Sequence, residues 1–126
     1  MNVMSYQTGR KANLAQFGEI SLDFRKMELL SAGRPVALTR LEFKVLKYLV
    51  SRPKFVVSRE QLLAAVWPRR YRANNRTVDN HICRLRHKLE TDPAHPIYFQ
   101  SVRGMGYKFV PPNNFSLESG DAAGLR

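Results

Sequence analysis

The chain has 126 residues, 44% of them hydrophobic, which is enough for one globular domain with its own core and leaves little room for a second. Lysine and arginine number 21 against 10 aspartates and glutamates, and the net charge of +11 favours a polyanionic partner. One cysteine excludes an internal disulfide, and no apolar run is long enough for a membrane span or a signal peptide, so we expect a cytoplasmic protein.

The sequence divides into a body and two polar ends. Residues 1–16 and 111–126 have no apolar periodicity, which predicts a linker or flexible tail at the first end and a flexible tail at the second. The body, residues 17–110, is predicted to form one domain.

The body begins with extended segments. Apolar and polar residues alternate strictly over residues 19–25, a pattern typical of a half-buried strand. Short extended segments follow around residues 26–30 and 35–38, with a glycine between them. These segments predict a small antiparallel sheet at the N-terminal side of the domain.

Two helices with capping boxes follow the sheet. Thr39 and Glu42 form the pattern T-x-x-E, in which the hydroxyl and the carboxylate each bind the other residue's amide. The apolar stripe after them predicts a helix that ends before Pro53. A second box starts at Ser58, and its helix is predicted to end at Pro68.

A third helix is predicted over residues 76–90, after an arginine-rich loop. Apolar residues at helical spacing form a stripe that must face the core: Val78, Ile82, Leu85 and Leu89. The residues expected on the opposite side include no carboxylate: Thr77, Asn80, His81, Arg84 and Lys88. Residues 97–102 and 107–110, joined by a glycine-containing turn, predict a closing hairpin. The predicted fold class is α+β.

The third helix and its neighbours indicate binding to duplex DNA. The major groove accepts one α-helix, and arginine, asparagine and threonine side chains can read its base edges. The helix N-terminus favours phosphate. Arg103, at the hairpin turn, is suited to a minor groove. The arrangement predicts a winged helix-turn-helix, with the helix of residues 76–90 in the major groove and a wing of residues 97–110 toward the minor groove.

Four runs carry a family resemblance: TRLEFKVLKYLV, VVSREQLLAAVW, NRTVDNHICRLRHKLE and SVRGMGYKFV. Together they resemble the OmpR/PhoB family of winged-helix effector domains from bacterial two-component response regulators, over about residues 17–110. The resemblance implies sequence-specific binding of double-stranded DNA by a transcriptional regulator, as a head-to-tail homodimer on direct repeats. It also implies an upstream receiver domain and contact between RNA polymerase and the loop of residues 68–75. Because no cluster of aspartates precedes the domain in this sequence, we expect the chain to be either an excised effector half or a stand-alone regulator.

The resemblance and the helix geometry together assign roles to individual residues. Base contacts are expected from four side chains: Arg84, Asn80, Thr77 and Arg103. Phosphate contacts are expected from seven: Arg76, Arg59, Trp67, His81, Lys88, Tyr107 and Arg72. We expect Arg86 to pair with Glu42 of the first helix, and Asp79 to pair with Arg76 or Arg72. Cys83 stands where many relatives have a basic residue.

Other function classes find little support in the sequence. Cys83 and His87 share a helix face, but a zinc site would need two more ligands, and a cysteine nucleophile would need a third, orienting group. We therefore expect neither an enzyme nor a bound metal or cofactor. Membrane-surface binding would need an exposed apolar helix face. A basic RNA-binding module stays open as an alternative, although RNA-reading domains usually expose aromatic rings.

Overall fold

The computed structural model describes residues 13–118, which form seven strands and three α-helices. The strands are β1 (Leu14–Phe17), β2 (Ile20–Asp23), β3 (Glu28–Ser31), β4 (Arg34–Pro35), β5 (Phe99–Val102), β6 (Gly106–Phe109) and β7 (Ser116–Glu118). The helices are α1 (Arg40–Val50), α2 (Arg59–Val66) and α3 (Asn75–Leu89). The predicted order of sheet, three helices and hairpin is confirmed. Within residues 13–118 no helix has the length and apolarity that crossing a membrane requires.

The N-terminal strands form an antiparallel sheet with the order β4-β3-β2-β1-β7. Along β1 and β2, alternate side chains are buried in the core, and these are Ala15, Phe17, Ile20 and Leu22. Because side chains alternate across a strand, the sheet turns one apolar face to the core and a polar face outward. The predicted sheet is therefore confirmed, and it contains two strands that were not predicted, β1 and β7.

The predicted tails include residues that belong to the folded domain. Residues 14–17 form β1, and residues 116–118 form β7, which pairs with β1 in the register Ala15↔Leu117. Phe115 and Leu117 are buried in the core. Each strand has too few residues to show a period, and a pairing between chain ends leaves no local sequence signal. The rest of the predicted tails, residues 1–12 and 119–126, lies outside the described residues.

Each helix begins with a capping box. The predicted boxes at Thr39 and Ser58 are confirmed, with the Glu42 amide donating to Thr39 Oγ1 at 3.1 Å. A third box, which the sequence analysis missed, joins Asn74 and Thr77 and starts α3 one residue earlier than predicted. A side-chain N-cap is worth about 1 kcal/mol to a helix, so all three helix starts are set locally.

The core joins the helices to the sheet and the hairpin. The predicted stripe of α3 is buried: Val78, Ile82, Leu85 and Leu89. The Phe17 ring of β1 lies edge-on to Phe99 and Phe109 of the hairpin, with centroids 6.2 and 4.9 Å apart. A fully buried phenylalanine contributes about 3–5 kcal/mol relative to alanine, so this cluster fixes the hairpin against the sheet.

The C-terminal hairpin has a third backbone partner. β5 and β6 pair in the register Val102↔Gly106, and we call these two strands with their turn, residues 99–109, the wing. Val57, just before α2, exchanges two backbone hydrogen bonds with Tyr107, at 2.8 and 2.9 Å. A Cβ atom at Gly106 would lie 2.1 Å from the Val57 carbonyl oxygen, so only glycine permits this approach.

Candidate nucleic-acid interface

Five exposed side chains recur along α3 at helical spacing. They are Arg76, Asn80, Cys83, Arg84 and His87, and we call them the α3 outer strip. At 100° per residue all five lie at least about 120° from the centre of the buried stripe. The strip contains two arginines and no carboxylate. It therefore presents hydrogen-bond donors and positive charge to solvent.

The predicted base-contact residues occupy three different settings. Asn80 and Arg84 both belong to the α3 outer strip, and Arg103 is exposed at the turn of the wing. Thr77 is half-buried, and its hydroxyl donates to the Asn74 carboxamide oxygen at 3.3 Å within the capping box. The structure therefore leaves Asn80, Arg84 and Arg103 available to a partner, while base contact itself stays a prediction.

His81 does not lie on the exposed side of α3 as predicted. It is 8% exposed, its Nδ1 lies 2.9 Å from the Thr77 carbonyl oxygen, and its ring stands edge-on to Trp67 at 4.9 Å. At 100° per residue His81 is only about 70° from the centre of the buried stripe, so it lies on the flank. The imidazole on the flank of the helix therefore packs against the protein interior and offers little surface to a phosphate.

Trp67 and Tyr107, two further predicted phosphate contacts, are also buried. Trp67 ends α2 and packs against His81. Tyr107 is 5% exposed and donates its hydroxyl proton to Asp79 Oδ1 at 2.6 Å. Burial, and then this hydrogen bond, raise the pKa of Tyr107 above its usual value, so the hydroxyl stays protonated. The structure gives both residues internal roles.

Glu42 pairs with Lys88 of α3 and not, as predicted, with Arg86. Lys88 Nζ donates to Glu42 Oε1 at 2.8 Å and to the Ala37 carbonyl at 2.9 Å, so this predicted phosphate contact is engaged inside the protein. Arg86, predicted to pair with Glu42, instead donates to the Phe99 carbonyl and to Ser101 Oγ, both at 2.9 Å. The prediction was wrong because Lys88 lies on the flank that faces α1 and Arg86 on the flank that faces the wing.

The Glu42 carboxylate is ionised although it is fully buried. Burial alone raises the pKa of Glu42, but the hydrogen bonds from Lys88 and from the Thr39 amide outweigh it and bring that pKa below its usual value. Within the described part of the chain, Glu42 Oε2 has no hydrogen-bond partner. The ion pair with Lys88 is thus the main interaction that offsets burial of this charge.

Asp79 has different partners from those predicted. Arg59 Nε of α2 donates to Asp79 Oδ1 at 2.7 Å, and Tyr107 donates to the same oxygen. Burial raises the pKa of Asp79, but these two hydrogen bonds lower it below its usual range. The predicted pairing of Asp79 with Arg76 or Arg72 is therefore wrong. Arg59, a predicted phosphate contact, uses its Nε in this ion pair, and its side chain remains one third exposed.

Basic residues precede the α3 outer strip. Residues 69–71 form a short 3-10 helix that ends at Arg72, and Arg72 adopts a left-handed conformation with φ of 51°. The side chains of Arg69, Arg70 and Arg72 are exposed. Since α3 starts three residues later, this basic loop lies close to the positive end of the helix dipole. The predicted contact Arg72 is therefore accessible, as Arg76 is.

Cys83 and His87, considered above as possible metal or catalytic groups, lie in the α3 outer strip, which was not predicted. His87 Nδ1 lies 3.0 Å from the Cys83 carbonyl oxygen and 3.9 Å from its sulfur. Residues 13–118 contain no group of three or more histidine, cysteine, aspartate or glutamate side chains placed to hold a metal ion. Their angular positions on the helix, about 130° and 170° from the centre of the buried stripe, could have predicted that both side chains are exposed in this strip.

Comparisons with known proteins point in one direction. Residues 33–109 match the family described as "Transcriptional regulatory protein, C terminal". The chain is 39% identical over 101 residues to the DNA-binding response regulator MtrA of Mycolicibacterium smegmatis, a match that covers 80% of this chain and 44% of MtrA. It thus spans less than half of that relative's length.

Solved structures show the same architecture. The Thermotoga maritima response regulator DrrB, an OmpR/PhoB homologue, matches with a TM-score of 0.71 and 33% identity, over 78% of this chain and 44% of DrrB. The DNA-binding domain of Klebsiella pneumoniae RstA, solved in complex with the RstA box, matches with a TM-score of 0.69 and 30% identity, over 82% of this chain and 100% of that domain.

Proposed function

Because the chain belongs to the family of C-terminal domains of transcriptional regulatory proteins, of the OmpR/PhoB winged-helix type, we propose that it binds double-stranded DNA sequence-specifically as part of a bacterial transcriptional regulator. One observation carries this proposal: the α3 outer strip is exposed, basic and free of carboxylates. The RstA domain, solved with its DNA box and similar over its whole length, supports the same function.

The α3 outer strip enters the major groove in this proposal. Arg84 suits the two acceptors on the guanine edge, and Asn80 suits the acceptor and donor of adenine. His87 and Cys83, at the same face one or two turns on, offer a weaker donor and an apolar sulfur. Specificity therefore depends on Arg84 and Asn80, with Thr77 as a further expected contact at the start of the helix.

Phosphate binding supplies affinity rather than sequence preference. Arg76 and Arg72 lie at the N-terminal end of α3, where the helix dipole and free amides also attract phosphate. Arg59 remains one third exposed and is kept as a candidate phosphate contact. Arg103, exposed at the wing turn, is assigned to the adjacent minor groove.

We also propose the finer partners that the family resemblance implies. These are a head-to-tail homodimer on direct repeats, an upstream receiver domain in a longer protein, and contact with RNA polymerase through residues 68–75. The match to 44% of MtrA supports the longer protein. Tyr71, with a 57% exposed side chain in that loop, supports a protein contact there. A stand-alone regulator is the alternative.

The test begins with selection of duplexes from a random pool by the 126-residue chain, followed by fluorescence anisotropy on the selected duplex. We expect the wild type to prefer this duplex to a scrambled one and to single-stranded RNA of the same length. Arg84→Ala should weaken binding to the selected duplex by about 1–3 kcal/mol, with a smaller effect on the scrambled duplex. Arg34→Ala, at the first residue of β4, is the matched control and should change neither.

Several outcomes would contradict the proposal or one of its parts. A selection that enriches no duplex, or tighter binding to single-stranded RNA, would favour the RNA-binding alternative. An equal loss on both duplexes would make Arg84 a phosphate contact. With three or four phosphate contacts for each protomer, log K should also fall against log salt with a slope of about −3 to −4. An affinity independent of salt would contradict the electrostatic part.

A further inference from the structure

Three elements meet at one carboxylate oxygen. Asp79 Oδ1, on α3, accepts a hydrogen bond from Arg59 Nε of α2 at 2.7 Å and another from the Tyr107 hydroxyl of β6 at 2.6 Å. Both bonds are short and charge-assisted, because their common acceptor is an ionised carboxylate, which makes them stronger than ordinary neutral hydrogen bonds. The carboxylate therefore connects α2 and the wing to α3.

The ring of Tyr107 is held on more than one side. The guanidinium carbons of Arg59 and Arg86 lie 5.4 and 5.5 Å from its centroid. Its backbone exchanges two hydrogen bonds with Val57, and Gly106 allows that approach. Arg86 also donates to the Phe99 carbonyl and to Ser101 Oγ of β5. The wing is thus attached to α3 through both of its strands.

The turn of the wing extends away from these attachments. Arg103 lies four residues from Tyr107, in the turn that closes on the hydrogen bond from the Met105 amide to the Val102 carbonyl. Because the hairpin is short, the orientation of its two strands also sets the orientation of its turn. The direction in which Arg103 points is therefore set by how Tyr107 is held against α3.

We propose that Asp79 is a positioning residue, which by holding Arg59 and Tyr107 on one oxygen fixes the wing relative to α3 so that Arg103 and the α3 outer strip engage adjacent grooves of one duplex. This inference rests on the proposed function. It replaces direct phosphate contact as the main role of Tyr107. It also explains why a carboxylate is tolerated on a helix whose outer strip is basic.

The test is a double-mutant cycle, measured by fluorescence anisotropy with the 126-residue chain and the selected duplex. Tyr107→Phe removes one hydroxyl and keeps the ring, the Val57 bonds and the charge. We expect Arg103→Ala and Tyr107→Phe each to weaken binding about five- to tenfold. In the Arg103→Ala background, Tyr107→Phe should cost less than about twofold, because there is no wing arginine left to position.

The control is Tyr98→Phe, at the base of the same hairpin, which should stay within about twofold of wild type in both backgrounds. Losses that multiply in the double variant would overturn the proposal, because they would show that the hydroxyl acts independently of Arg103. Wild-type affinity in Tyr107→Phe would overturn it as well.

A second measurement needs no DNA. In the free chain, Asp79→Asn and Tyr107→Phe should each raise the amide hydrogen exchange rate of residues 99–109 about fivefold or more, and leave that of β1 to β3 unchanged. Unchanged exchange in the wing would overturn the positioning role whether or not any duplex binds. Faster wing exchange in a chain that binds no duplex would refute the proposed function and the groove assignment, and leave only the attachment of the wing.

Discussion

The two flanks of α3 each carry a pair between a carboxylate and a cation, but the fold surrounds these pairs differently. On the flank that faces α1, Glu42 is 1% exposed at its side chain and Lys88 is 32% exposed. On the flank that faces α2 and the wing, Asp79 is 41% exposed and Arg59 33%. Similar chemistry therefore serves two purposes. The buried pair bears on stability, and the open pair bears on the relative orientation of the DNA-binding elements.

The largest effect is expected from breaking the buried pair. Lys88→Met keeps the aliphatic packing but leaves the Glu42 carboxylate buried without its cation, which should lower the free energy of unfolding by about 2–4 kcal/mol. Urea denaturation at pH 7 measures this loss. Lys44→Met, on the exposed side of α1, is the control and should change stability by less than about 0.5 kcal/mol. Equal stability of the two variants would show that the buried pair contributes nothing.

Acidification should affect the same pair. The pKa of Glu42 in the fold is below its usual value, so the stability it contributes is present above the pKa of the unfolded chain and is lost as pH falls through the folded pKa. We expect Glu42→Gln to be less stable than wild type at pH 7, with a difference that narrows steadily from about pH 5 downward. Urea titrations at several pH values test this. A difference independent of pH would mean that ionised Glu42 is not the stabilising form.

The open pair should matter less for stability. Asp79→Asn should lower the free energy of unfolding by about 1 kcal/mol or less, because solvent screens both partners and the carboxamide still accepts a hydrogen bond. This is a clear contrast with Lys88→Met in the same urea assay. If Asp79→Asn proves as damaging as Lys88→Met, the two flanks do not differ in the way that their exposure suggests.

The smallest effect is expected in the α3 outer strip, where no such pair exists for Cys83. Cys83→Ser should change the free energy of unfolding by less than about 0.5 kcal/mol, since the side chain is exposed. In the wild type a thiol reagent should modify Cys83 without unfolding, and the selected duplex should slow that reaction. Unslowed modification in a saturated complex would exclude Cys83 from the interface.

The local parts of the fold could be predicted because their causes are local. Capping at Thr39 and Ser58 depends on residues three positions apart, and the buried stripe of α3 repeats over about three turns. The hairpin was visible because its turn has a glycine on each side of Met105. These features fix the helix-turn-helix and the wing without knowledge of the rest of the chain.

The partners of residues on the flanks of α3 could not be predicted. The sequence gives the angle of each residue around the helix, but it does not give the element that packs against that residue. Arg86 and Lys88 lie at about 70° and 90° on opposite sides of the buried stripe, and only the packing decides which of them meets Glu42. His81 was misplaced for the same reason. The exposure of Asn80 and Arg84 in the α3 outer strip could be predicted, because no neighbouring element within residues 13–118 packs over them.

The pairing of β1 with β7 has a practical consequence. The Asn13 amide donates to the Glu118 carbonyl at 3.0 Å, so the first and last described residues are neighbours across one sheet edge. A circular permutant that joins these positions by a few glycines, and opens the chain in the turn around Gly33, is therefore expected to keep the architecture. It would also free both new ends for labels beside β4.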